Sequence, residues 1–256
     1  MEKIVIGAAT VYGAYADTFQ VVDELADAGF CSVEIVDERT KDFSRQEIDS
    51  LAKLGLNLSM HCPFVSLMYC HPNYNRAKPE LEILRNSMQT ALDMGCTDYV
   101  LHGGEIPLLF TLSKSRDYLL DLMIDRTKPI IEAYSKQGLK VHVENVSFGE
   151  QIGKQVSDII KLQREIEGLG FCYDVAHGAL TMDTQEILST LKPDYLHLSD
   201  NRLKEDEHLA LGDGYLPFRN ILRLLYDFNG PVIIEAKSFD ACVRSKLYLE
   251  DILKML

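Results

Sequence analysis

Short apolar and β-branched runs alternate along this chain with longer stretches whose apolar positions recur at helical spacing. The short runs fall at 3–7, 31–36, 56–60, 98–101, 140–143, 170–173, 194–198 and 231–234. The longer stretches fall at 18–28, 44–54, 79–94, 115–137, 156–166, 184–191, 217–226 and 241–253, with 115–137 long enough for one helix or two. Local chemistry marks several of their ends. Ser44 followed by Glu47 is a capping box, and Gly55 stands just past that helix. Pro79 suits a first helical turn, while Gly29, Gly95 and Gly138 stop their helices. The pattern predicts eight strands alternating with eight helices, which requires parallel strands joined by right-handed crossovers. An open doubly wound sheet would carry G-x-G-x-x-G after its first strand, and none is present. Eight units close into an α/β (β/α)8 TIM barrel, read as one domain over residues 1–256.

Composition narrows the class without naming a chemistry. The 256 residues are 46% hydrophobic and 25% charged, ordinary values for a globular protein with a real core. No secretory signal opens the chain and no run reaches the ~18 apolar residues of a membrane span, so a cytoplasmic protein without membrane contact is expected. The six cysteines include no C-x-x-C pair, which points to reduced thiols rather than a zinc ribbon or disulfide framework. With 26 Lys plus Arg against 39 Asp plus Glu, the net charge of −13 disfavours nonspecific nucleic-acid binding. Assembly into a homo-oligomer is left open.

The candidate chemistry lies at the C-terminal strand ends, where barrels of this kind carry their active sites. His61, His102, Glu144, Asp174, His197 and Glu235 come from six consecutive strands. Carboxylates converging on one mouth repel one another unless a cation lies between them. His177 follows Asp174 by three residues, and Asp206 and His208 form an Asp-x-His pair in the loop after strand seven. His71 and His142 are the histidines outside this set; the first reads as a loop residue and the second as a hydrogen-bonded core residue. Mixed imidazole and carboxylate donors suit Zn2+ or Mn2+. Four donors are enough for one ion with open positions, and nine could hold two or three.

The motifs His61-Cys62-Pro63-Phe64, Val100-Leu101-His102-Gly103-Gly104, Val143-Glu144-Asn145, Cys172-Tyr173-Asp174-Val175-Ala176-His177-Gly178, His197-Leu198-Ser199-Asp200-Asn201, Leu211-Gly212-Asp213-Gly214 and Ile234-Glu235 resemble the xylose-isomerase-like TIM-barrel superfamily. The resemblance runs in order over nearly the whole chain. It implies two alternatives. Sugar and sugar-phosphate isomerases and epimerases use a Glu, Asp, His, Glu set around one divalent ion, matching Glu144, Asp174, His197 and Glu235. The endonuclease IV branch cleaves DNA at abasic sites with three zinc ions, and its pattern implies all nine positions.

Charge decides between them. Phosphate contacts need Lys or Arg in numbers, yet loop 62–78 offers Arg76 and Lys78, and loop 199–216 offers Arg202 and Lys204 beside several acids. A small carbohydrate substrate is therefore preferred, with DNA as partner only under the alternative. The expected reaction is proton transfer α to a carbonyl through an enediolate, with Glu144 and Glu235 as base and acid on opposite faces. His177, Arg202 and Glu34 are the candidate substrate contacts. Arg202 reads equally as a solvated loop residue, and Glu34 as a buried paired carboxylate. A binding barrel without chemistry is the third class, disfavoured because every metal-competent position is filled.

Overall fold

A strand followed by a helix and then a parallel strand packs back on its sheet with one hand, and repeating that step eight times closes the sheet on itself. The computed structural model shows this outcome and describes residues 4–254 apart from 14–16, 38–42, 64–66, 182–183 and 217. The expected strand residue Lys3, the motif residue Phe64 and the helix-start residue Pro217 lie outside the described residues. The strands are β1 (Val5–Ala9), β2 (Ser32–Val36), β3 (Asn57–His61), β4 (Asp98–Leu101), β5 (Lys140–Glu144), β6 (Gly170–Asp174), β7 (Tyr195–Leu198) and β8 (Pro231–Ile234). Each pairs in parallel with the next, and β1 pairs with β8 to close the barrel.

Ten α-helices surround the barrel among the described residues: α1 (Thr18–Asp27), α2 (Arg45–Leu51), α3 (Tyr74–Asp93), α4 (Leu108–Thr111), α5 (Arg116–Ser135), α6 (Val156–Glu165), α7 (Val175–Thr181), α8 (Thr184–Thr190), α9 (Phe218–Tyr226) and α10 (Phe239–Leu253). None is long and apolar enough to cross a membrane. The Ser44–Glu47 capping box forms as expected, with both reciprocal bonds present. The helix expected to begin at Pro79 begins five residues earlier, because Asn73 accepts from the Asn75 N–H and caps it there. Pro79 and Pro129 are both exposed within helices, so their rings face solvent rather than the barrel. Residues 116–135 form one continuous helix. The short α4 and α7 were not anticipated by periodicity, since four and seven residues are too few to show it.

Strand periodicity divides the side chains between two environments. Val33, Ile35, Met60, Leu101, Val141 and Leu196 join the large apolar cluster between barrel and helices. Ala9, Val100, Cys172, Tyr195 and Ile233 form a separate small cluster with the neighbouring barrel strands. A fully buried aliphatic side chain contributes about 2 kcal/mol, so the larger layer carries most of the stability. The barrel interior is consequently free to hold polar groups. At one level of it, His142 Nε2 bonds Asp98 Oδ1 at 2.8 Å, both residues buried, the core pairing expected of this histidine, while its Nδ1 has no hydrogen-bond partner.

The loops after β4 and β5 are zipped together beside the mouth. Ile106 N–H donates to the Glu150 carbonyl at 2.7 Å and Ile152 N–H to the Gly104 carbonyl at 3.1 Å. Gly103 makes this approach feasible, because a Cβ there would overlap the backbone carbonyl of Ile152. Gly103→Ala is expected to cost about 2 kcal/mol by overpacking and to displace the adjacent His102, lowering both the urea midpoint and activity. Ser44→Ala should cost about 1 kcal/mol through its lost cap and leave activity unchanged. Equal loss of activity in the two variants would separate Gly103 from the site.

Candidate metal centre

Period-2 side-chain alternation puts the last inward-facing residue of successive strands at one level of the barrel mouth. β3 ends on His61, β5 on Glu144 and β6 on Asp174, one residue beyond the expected ends of those runs, and His102 and Glu235 directly follow β4 and β8. All of these, with His197 of β7, are buried. The residues collected into one mouth are those the sequence singled out.

Glu144 is the centre of the array. Its Oε2 receives His61 Nε2 at 3.1 Å and His102 Nε2 at 3.0 Å. Its Oε1 lies 3.2 Å from both His177 Nδ1 and His197 Nδ1. Burial opposes its ionisation, but His197, His102 and His177 hold its carboxyl well below the usual carboxylate range. Among the described residues, three donor groups satisfy a mutual separation of 4.8 Å or less: Glu144, Asp174, His197 and Glu235; His61, His102 and Glu144; and His61, His197 and Glu235.

Asp174 shows how local backbone structure aims a side chain. Its Oδ1 accepts the His177 N–H at 2.6 Å, capping the start of α7. The Asn145 amide clamps the Asp174 backbone from β5 through bonds of 2.8 and 2.9 Å. Asp174 Oδ2 is left buried without a hydrogen-bond partner, as is Glu235 Oε1. Burial, reinforced by Glu144, Glu235 and Asp206 despite the opposing charge of His177, pushes the Asp174 carboxyl up to about 7. Buried carboxylate oxygens with no proton donor are costly, and a divalent cation among them removes that cost. The donor set and these orphaned oxygens fit such an ion.

His177, Asp206 and His208 form the outer part of the array. Asp206 Oδ2 lies 3.1 Å from His177 Nε2 and 2.9 Å from His208 Nε2. The other ring nitrogens donate to backbone carbonyls, His177 Nδ1 to Asn145 and His208 Nδ1 to Glu235, each at 3.0 Å. The nitrogens facing Asp206 must therefore carry protons or share a cation with it. Burial resists protonation of His208, but its bond to Asp206 and the charge of Glu235 outweigh that and push it up to about 9. The loop bearing Asp206 and His208 is pinned by Asp200, whose carboxylate accepts N–H bonds from Asn201, Gly212, Gly214 and Leu216 at 2.8–3.1 Å. His208 itself sits at φ +47°, a left-handed conformation uncommon for a side-chain-bearing residue.

The remaining candidates divide. Arg202 is half exposed and its guanidinium is taken up by Glu207 of the same loop. Glu34 is fully buried in the barrel, with Tyr195 donating to its Oε2 at 2.8 Å and His197 Nε2 lying 3.2 Å from the same oxygen. His71 lies in a loop, where its Nδ1 accepts the Asn73 N–H. Sequence reasoning assigned no role to Phe148, whose half-exposed ring stands 6.0 Å from that of His102 and 6.3 Å from that of His177. Nothing in its sequence neighbourhood marks it, since its position depends on how the zipped loops fold.

Known proteins share this architecture. A solved D-tagatose 3-epimerase-like protein is similar to the chain with a TM-score of 0.88 and 25% identity, covering 98% of both chains. The uncharacterized protein MJ1311 of Methanocaldococcus jannaschii is 26% identical over 249 residues, 92% of this chain and 84% of its own. A probable endonuclease 4 of Mycobacterium tuberculosis is 24% identical over 204 residues, covering 75% of this chain and 77% of its own. The family model for the xylose isomerase-like TIM barrel matches residues 22–256, and the chain belongs to that family.

Proposed function

We propose that the protein is a divalent-metal-dependent epimerase or isomerase of a small sugar or sugar phosphate. The observation that carries this reading is the compact group of Glu144, Asp174, His197 and Glu235, whose donor atoms lie within 4.8 Å of one another at the mouth. These four residues would hold one Zn2+ or Mn2+ ion. When bound, the ion supplies Lewis acidity to adjacent hydroxyl and carbonyl oxygens of the substrate. Likeness to the D-tagatose 3-epimerase-like protein over 98% of the chain supports the substrate class.

The proton chemistry falls to the two glutamates. Glu235 Oε1 accepts no hydrogen bond, so it is free to take the proton α to the carbonyl. Glu144 faces from β5, and the proton returned on the other side reaches it from the imidazole nitrogens that surround it. His177 is placed to contact a substrate hydroxyl. Phe148 shields one side of the mouth. Among the described residues, two arginines near the mouth are already engaged, Arg202 by Glu207 and Arg116 by Asp158, which withholds them from a DNA backbone.

One observation favours the second reading, an endonuclease IV-like zinc phosphodiesterase acting at abasic sites. Asp206 faces two imidazole nitrogens whose partners on the far side are carbonyls. That extends the donor set to the nine positions and would allow up to three ions.

Three measurements separate these outcomes. Asp174→Ala should lose bound metal, measured by elemental analysis, while its far-ultraviolet circular dichroism is unchanged; full metal content would remove Asp174 from the centre. Replacing Asp206 and His208 together by Ala should leave one ion per chain and appreciable turnover. Loss of an ion together with nearly all activity would support the multinuclear reading. In deuterated water the enzyme should wash deuterium into a ketose or its phosphate, and Glu235→Gln should slow this about 100-fold or more, because an amide cannot serve as the base. Efficient metal-dependent nicking of an abasic duplex, without exchange across a broad ketose panel, would overturn the sugar reading in favour of the second.

A further inference from the structure

Four histidines of the centre are oriented in two different ways. His61, His177 and His208 each give one ring nitrogen to a backbone carbonyl, those of Cys62, Asn145 and Glu235, at 2.7–3.0 Å. His197 instead turns its Nε2 to a carboxylate, with Glu34 Oε1 at 3.1 Å and Oε2 at 3.2 Å. Its Nδ1 then faces Glu144 Oε1 at 3.2 Å and Glu235 Oε1 at 3.4 Å.

Glu34 is itself held from behind. Tyr195, two residues before His197 on β7, donates its hydroxyl to Glu34 Oε2 at 2.8 Å. The same hydroxyl lies 2.6 Å from Ser59 Oγ on β3, two residues before His61. A carboxylate with no exposed surface remains ionised only where donors converge on it. Here both donors, Tyr195 and His197, come from β7, and Ser59 of β3 stands behind Tyr195, one inward position below His61. The barrel thus carries a buried chain running Ser59, Tyr195, Glu34, His197.

We propose that Glu34 is a positioning residue for the metal centre: it accepts the Nε2 proton of His197, fixes that tautomer and ring orientation, and so presents the Nδ1 lone pair to the ion. The inference rests on the metal-centre reading and adds to it a residue on β2 that touches neither substrate nor ion. A carboxylate behind a ligating imidazole also raises its basicity as a donor, and loss of such a partner commonly weakens metal affinity about 10–100-fold. Glu34→Gln removes the charge and keeps the shape. Tyr195→Phe removes one donor to Glu34 while leaving its carboxylate in place.

The test is Zn2+ affinity by chelator competition, combined with nitrogen-15 NMR of the histidine rings. Zn2+-loaded wild-type protein should show His197 protonated at Nε2 with a hydrogen-bonded ring proton. E34Q should raise the Zn2+ Kd about 10–100-fold and shift or lose that proton, and Y195F should raise the Kd by less. A purely structural role for Glu34 would lower Tm without moving either the Kd or the ring proton, and that result overturns the inference. So does a His197 protonated at Nδ1 in the wild type, a measurement that decides the matter even if E34Q fails to fold. Wild-type protein that binds no Zn2+ overturns the metal centre and this inference together, whereas an unchanged Kd in folded E34Q overturns this inference alone.

Discussion

Four buried carboxylates, those of Glu34, Glu144, Asp174 and Glu235, crowd the mouth end of the barrel interior, and their mutual repulsion is the constraint on which the site depends. Moving such a group out of water costs several kcal/mol unless hydrogen bonds and opposite charge compensate it. Around Glu144 four imidazoles supply that compensation. Around Glu34 it comes from Tyr195 and His197. Asp174 and Glu235 each keep one buried oxygen with no donor. The imbalance is local and points to a cation.

The protein tolerates this arrangement because stability is supplied elsewhere. The outward faces of the strands and the inward faces of the helices form one continuous apolar layer, while the barrel interior has only a small apolar cluster of its own. Polar interior positions can therefore serve chemistry without thinning the main core. The mouth is shaped in turn by loops that bond to one another. The Glu105–Gln151 bridge joins two of them, Arg116 holds Asp158 and the Gln151 carbonyl, and Asp200 gathers the N–H groups of the loop that carries Asp206 and His208. The first two devices join segments far apart in the sequence, whereas Asp200 gathers N–H groups of its own loop.

The barrel and the inner donors were legible in the sequence because both follow from local periodicity. Strand and helix periods differ, so eight alternations specify parallel crossovers, and in a parallel barrel every strand delivers its C-terminal residue to the same face. His61, His102, Glu144, Asp174, His197 and Glu235 could be collected on that ground alone. The capping box at Ser44 was equally local. The early start of α3 was less so, because the proline signal at Pro79 competes with the asparagine cap at Asn73, and the helix runs through Pro79 despite the backbone bond that residue cannot make.

What tertiary structure decided is which partner each donor faces. Sequence could not tell whether Glu34 lines a pocket or pairs with a buried group; the register of β2, β3 and β7 places it between Tyr195 and His197. Nor could it tell whether Arg202 reaches for a ligand, because a flexible cation takes whichever carboxylate its loop brings nearest, and the fold brings Glu207. The identity and strand position of the donors are properties of a periodic chain. The partners that surround Glu144 and Glu34 lie dozens of positions away in the sequence, and only the closed barrel brings them within bonding distance.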